Sequence, residues 1–130
     1  MTSKEGAGSP LNPESAVALR KGAAEFNCGK FFECHDTLEE VWRGTRGPAR
    51  DFLQGLIQIS VGFYHLRNGN SAGGESQLFK GLKNLESYGA SYAGVDLADL
   101  RRQVENWLGR IRRGGSLQAT AAELPKFNLS

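Results

Sequence analysis

The chain has 130 residues, 39% apolar and 23% charged, with a net charge of +2. That length can bury a real hydrophobic core, and a charge so near neutral argues against nucleic acid or an anionic membrane as partner. No stretch approaches the roughly 18 apolar residues of a membrane span, and the N-terminal residues lack the apolar run of a signal peptide, so the cytoplasm is the expected compartment.

Residues 1–11 are small, polar and rich in Gly and Ser, and read as a disordered tail. Residues 12–130 read as a single helical domain. Asn12-Pro13-Glu14 has the form of a helix start: Asn as N-cap, Pro at the first helical position, an acid in the first turn. Ala16, Leu19, Ala23 and Phe26 give this first helix its buried stripe, and Gly29 stops it.

The second helix is the most informative stretch, FFECHDTLEEVWR over Phe31–Arg43. At 3.6 residues per turn, Phe31, His35, Leu38 and Trp42 share one stripe with Glu39 beside it. Glu33, Asp36, Thr37 and Glu40 fall on the opposite side. An imidazole and a carboxylate are therefore expected on or beside the buried face. Glu33 lies in the first turn, where it can satisfy free backbone N–H groups. The two cysteines, Cys28 and Cys34, lack Cys-x-x-Cys spacing and read as reduced, packed thiols.

Gly47-Pro48 closes the next connection, with Pro48 suited to open a third helix that runs to about Arg67. Phe52, Leu53, Leu56, Ile57, Ile59, Phe63, Tyr64 and Leu66 spread around most of it, so it is expected to be central. Its polar residues Arg50, Gln54, Gln58 and His65 share one stripe with Val61. Gly55 and Gly62 lie one heptad apart; each costs about 1 kcal/mol of helix propensity against Ala, which close approach of another helix would compensate. Asn68-Gly69-Asn70 is a turn. A fourth helix over about 72–88 points Leu78, Leu82 and Leu85 inward, and the small residues after Gly89 read as a loop. Asp96 then caps a fifth helix, with Asp99 three positions on. That helix carries Leu97, Leu100, Val104, Trp107, Leu108 and Ile111 and stops at Gly114-Gly115. Its cations Arg101, Arg102, Arg110, Arg112 and Arg113 read as a solvated face. Residues 116–130 read as irregular, with Leu124–Leu129 extended along the bundle.

An internal repeat shows at an offset of 40: Phe26 matches Leu66, Gly29 matches Gly69, and Leu38 matches Leu78. The expected fold is all-α: a compact bundle of about five helices built from two helical hairpins plus a C-terminal helix and an extended tail.

Two chemistries compete for the polar residues. His35, Glu39 and His65 are ligand types that suit zinc or iron. In an antiparallel hairpin turning near Arg46, residue 35 lies beside 57 and residue 39 beside 53. His65 is then roughly 12 Å from His35, too far for one ion. A metal would rest on His35 and Glu39, with a carboxylate such as Glu25 added, and it stands behind no metal at all. The same register brings Glu39 near Arg50 and Gln54, and His35 near Gln58, as a structural network in which Trp42 is core with its indole N–H near a partner. Such a stripe also leaves room for a small-ligand pocket between the second and third helices. Ser60 and the cysteines lack an evident base, so nucleophilic catalysis is disfavoured.

The blocks FNCGKFFECHDTLEEVWR and RDFLQGLIQISVGFYHLRNGN resemble the bacterial family called domain of unknown function 309. The family's first pattern falls on Glu33, His35, Leu38, Glu39 and Trp42, and its second on Gln54, Gly55, Leu56, Gln58 and His65, with its Gly-Asn turn at Gly69-Asn70. The resemblance covers about Pro13 to Tyr88. Asp36 stands where Glu is usual and Gly74 where Ala is usual. The resemblance implies an all-α fold and little about activity; such proteins are sometimes labelled predicted metal-dependent hydrolases. Two functions follow as expectations. One is a metal-dependent hydrolase or small-ligand binder using His35 and Glu39, with Glu33, Trp42, Arg50, Gln54, Gln58 and His65 supporting. The other is a non-catalytic, tetratricopeptide-like interaction module with a purely structural polar core, for which a homo-oligomer stays open.

Overall fold

The computed structural model describes residues 10–115 and 123–130. Most of the expected tail, 1–9, and the irregular stretch 116–122 lie outside the described residues. The elements are α1 (Pro13–Asn27), α2 (Phe31–Trp42), α3 (Pro48–Arg67), α4 (Ser71–Leu85), a 3₁₀ turn (Glu86–Tyr88), β1 (Ser91–Tyr92), β2 (Val95–Asp96) and α5 (Leu97–Arg112). The fold is all-α apart from this two-residue antiparallel hairpin, which takes the place of the expected loop. Ala93 and Gly94, both at positive φ, make its turn. The fourth helix is shorter than read from the sequence, because its last turn tightens to 3₁₀ before Gly89.

The helix starts follow their caps. Asn12 Oδ1 accepts from the Ser15 N–H at 2.7 Å, and Asp96 Oδ1 accepts from the Asp99 N–H at 3.0 Å. Each such cap contributes about 1 kcal/mol. Leu11, read with the tail, is instead buried in the core at 5% exposure, so the described chain is anchored one residue before its first cap.

The repeat is a repeat of contacts. The Lys30 N–H reaches Glu25 O at 2.8 Å, and forty positions on the Asn70 N–H reaches His65 O at 2.8 Å. Gly29 and Gly69 hold φ values of 80° and 79°, the left-handed geometry such helix ends need. A Cβ on Gly22 of α1 would lie 2.9 Å from Leu38 of α2, and one on Gly62 of α3 would lie 2.7 Å from Leu78 of α4. Both hairpins therefore close by fitting a leucine over a glycine at matching positions.

The second hairpin takes this further. Glycines 55 and 62 of α3 face Leu85 and Leu78 of α4, while glycines 74 and 81 of α4 face Leu66 and Ile59 of α3. At 74 and 81 an added Cβ would also come within 3.0 Å of the Gly62 and Gly55 carbonyls, respectively. The two backbones are thus in near-contact through both helices. The expected close approach at Gly55 and Gly62 is present, and it is reciprocal.

α3 is central: Phe52, Leu53, Leu56, Ile59 and Phe63 are fully buried. Phe26, Phe31 and Phe63 form an aromatic cluster, joined edge-on by Trp107 of α5. Phe127 of the last segment stacks on Phe26 with ring centroids 3.7 Å apart, so the expected extended course over Pro125–Leu129 is present and is partly core.

The buried polar contact between α2 and α3 is Cys34 with Ser60, both fully buried, Sγ to Oγ 3.2 Å. Ser60 also reaches the Leu56 carbonyl at 3.0 Å, which satisfies its hydroxyl within the core. Burial pushes the Cys34 thiol up to about 12.

Two outcomes follow. Gly81→Ala gains about 1 kcal/mol of helix propensity but overpacks Ile59 and the Gly55 carbonyl, so denaturant unfolding should show a net loss of about 1–3 kcal/mol. Gly109→Ala, whose Cβ would meet only the mobile end of Arg113, should be neutral or stabilising; equal effects at the two sites would refute the close-packing account. Thiol titration of the native protein should label exposed Cys28 and spare Cys34 until unfolding. Since the raised Cys34 value belongs to the folded state, its contribution is complete below the ordinary value of 9.0 and is lost as pH rises toward about 12. Tyr88 and Tyr92, also raised by burial, act in the same direction. Unfolding midpoints that stay flat from pH 9 to 11 would contradict this.

Candidate functional site

α2 turns His35 to the edge of the core. Its side chain keeps 22% exposure, against 33% for Glu39 and 61% for Asp36. Glu39 sits one turn on, with Oε1 3.8 Å from His35 Nε2, the i,i+4 neighbour that helical geometry supplies. Asp36 Oδ1 lies 3.3 Å from Nδ1. That approach lacks hydrogen-bond geometry, so the buried Nδ1 atom has no hydrogen-bond partner. Donor atoms of His35, Asp36 and Glu39 lie within 4.8 Å of one another, the one such group among the described residues able to hold an ion. Asp36, placed by the sequence on the far side of α2, belongs to this group. The signal for it was the His-Asp-x-x-Glu spacing, in which the adjacent residue can fold back toward the ring.

The amide side of the expected network goes elsewhere. Gln58 Oε1 accepts from Asn84 Nδ2 of α4 at 2.6 Å, so this amide ties α3 to α4 and does not meet His35. Gln54 is half-buried on the same ridge of α3. Arg50 does not pair with Glu39. Its guanidinium lies 3.9 Å from the Trp42 ring centroid and donates to the Trp42 and Thr45 carbonyls, clamping the α2–α3 turn. Glu39 pairs with Arg43 on its own helix, 3.4 Å away. Trp42 is half-buried, and its buried Nε1 lacks the expected partner. Glu33 is exposed and does not cap its helix. Glu25, considered as a further ligand, instead accepts from Thr37 Oγ1 at 2.7 Å. The polar lock between the second and third helices is therefore not formed by His35 and Glu39. The register differs by one position: Cys34 takes the inward place and meets Ser60, which turns His35 outward.

His65 stands apart from the ion-holding group, with Nδ1 3.5 Å from Asn70 Nδ2. Rings link the two histidines along the surface: His35 to Phe32 at 5.7 Å, Phe32 to Tyr64 at 5.4 Å, Tyr64 to His65 at 6.1 Å between centroids. Phe32 is 48% exposed, a large apolar ring presented to solvent beside the imidazole. A recess of about 340 Å³ opens on its other flank, lined by Lys30, Phe31, Glu33, Tyr64 and Arg67 among others. A second, of about 360 Å³, lies between α1 and α2. Neither includes His35 or Glu39. No described helix is long and apolar enough to cross a membrane.

The chain is similar to an uncharacterised protein of Aquifex aeolicus (strain VF5), 25% identical over 72% of this chain and 28% of that protein. It is also similar to the uncharacterised protein YpuF of Bacillus subtilis (strain 168), 34% identical over 44% of this chain and 33% of that protein. The chain thus spans no more than about a third of the length of either relative. Residues 19–77, from within α1 to within α4 and including every member of the His35 group, match the family model described as Domain of unknown function (DUF309), so over that stretch the chain is similar to this family.

Proposed function

We propose that α2 carries a binding site for a divalent transition-metal ion, held by His35, Asp36 and Glu39. The observation that supports it is the gathering of three donors of two chemical kinds, imidazole and carboxylate, within 4.8 Å. Donors around one zinc ion stand at most about 4.4 Å apart, so a small rotamer adjustment of the exposed Asp36 completes the set. Three protein ligands leave a position for water, as in catalytic rather than structural zinc sites. When bound, the ion would supply Lewis acidity and a more acidic water, which is what the family's hydrolase label requires. Within the chain, His35 and Glu39 hold their places through helical spacing, and the Phe32 ring lies beside the imidazole, 5.7 Å between centroids.

A second reading has its own observation. Asp36 and Glu39 approach different nitrogens of His35, and Glu39 also pairs with Arg43, as in a surface charge network worth little to stability. On that reading the protein is a non-catalytic helical interaction module, and Gln58–Asn84 and Cys34–Ser60 only fix how helices meet.

Equilibrium dialysis against zinc or manganese, followed by elemental analysis, separates the two. The first reading expects one ion per chain and a rise in melting temperature, about 2.7 kcal/mol of added stability at roughly a hundredfold excess over Kd. His35→Ala should lose both, while Glu40→Ala keeps both. No saturable uptake by the folded wild-type chain would leave the interaction module standing.

A further inference from the structure

The segment 123–130 is held as a peptide is held by a receptor. In an extended chain the N–H and C=O of successive residues point to opposite edges. Here both edges are read by side-chain amides. Asn27, at the end of α1, accepts from the Phe127 N–H at 2.7 Å and donates to the Phe127 carbonyl at 3.1 Å. Gln103 of α5 accepts from the Lys126 N–H at 2.9 Å and donates to the Lys126 carbonyl at 3.0 Å. Each amide thus copies the pairing that a neighbouring strand would provide. Phe127 is the anchor, 1% exposed and stacked on Phe26. Lys126 Nζ donates to the Asn27 carbonyl at 2.8 Å, and Asn128 Nδ2 to the Asp99 carboxylate at 2.7 Å. The Asp96 N–H reaches the Asn128 carbonyl at 2.9 Å.

Main-chain hydrogen bonds with one deep side-chain pocket are how extended peptides are recognised in trans. We propose that this seat, formed by Asn27, Phe26, Gln103, Asp99 and β2, is a peptide-binding site, and that its second occupant is the same segment of another copy of this chain. The hydrogen bonds that hold the segment are made to α1, α5 and the β1–β2 hairpin, all outside the segment itself, so the seat cannot distinguish its own segment from a partner's. Occupancy within one chain wins when dilute, because tethering sets an effective concentration of about millimolar order. Reciprocal exchange at higher concentration then gives a symmetric dimer, with no new contact at the seat. This inference is independent of the metal reading, since none of its residues belongs to the His35 group.

Complementation between full-length variants tests it. Phe127→Ala keeps the seat and loses the anchor; Asn27→Ala combined with Gln103→Ala keeps the anchor and loses the seat. Each alone should show the single-chain mass of 14.1 kDa by light scattering. Mixed, they should form a pair of twice that mass, one segment seated in the other molecule. If Phe127→Ala loses its helical circular dichroism, Phe127→Leu takes its place. The wild-type chain supplies a separate measurement: its dimer fraction should grow with concentration and fall in Phe127→Leu. Folded variants that stay at single-chain mass when mixed, with a wild-type mass independent of concentration, would overturn the proposal.

Discussion

The constraint on which the structure depends is the near-contact of α3 and α4. Two glycines on each helix, spaced by a heptad, receive leucine and isoleucine side chains from the other. Without Cβ atoms at 74 and 81, the Gly62 and Gly55 carbonyls approach the opposite backbone, close enough for weak Cα–H···O contacts to add to dispersion. The loss in helix propensity is offset by packing that a bulkier residue would exclude. A Cβ at Gly74 would collide with a Leu66 methyl and come within 3.0 Å of the Gly62 carbonyl, so glycine there suits the tight approach. The hairpin so formed is tied further by the Gln58–Asn84 bond and by the Tyr88 hydroxyl donating to the Pro48 carbonyl. It is the platform against which α2 sets its register.

That register decides the chemistry. Cys34 and Ser60 take the fully buried place between α2 and α3. His35, one position on and rotated by about 100°, is carried to the rim beside solvent, where Asp36 and Glu39 can reach it. A small thiol and a small hydroxyl fit where an imidazole and an amide would need more room and more hydrogen-bond partners. The polar stripe of the sequence is thereby divided in two. The histidine and acids stay on α2, and Gln58 of α3 turns toward α4.

The helices and their ends were legible because local signals carry them. Asn12 before Pro13, Asp96 before Asp99, and Gly29 and Gly69 at matched turns each act within a few residues. The repeat is legible for the same reason, since its members are glycines and large apolar residues with a fixed offset. What the sequence left open depends on rotation between helices, which local pattern does not set. His35 shares a stripe with Phe31 and Leu38, and only packing of Leu38 over Gly22 and of Cys34 on Ser60 shows how far that stripe turns inward. Asp36 escapes the helical wheel because an i+1 neighbour points away on an ideal wheel, while the side chain can fold back toward the ring. The two-residue strands before α5 leave no sequence signal, because Tyr92-Ala93-Gly94-Val95 is too short to show alternation.

The bond between Asn27 and Phe127 spans 100 positions. During synthesis α1 to α4 can pair neighbour by neighbour, but the face of Phe26 stays uncovered until residue 127 has left the ribosome. A nascent chain therefore carries an exposed aromatic surface while the hundred residues after Asn27 are made, the kind of surface that chaperones bind and that aggregates form on. Closing so long a loop is slow relative to hairpin formation, so the docking of residues 125–129 follows the pairing of α1 to α4.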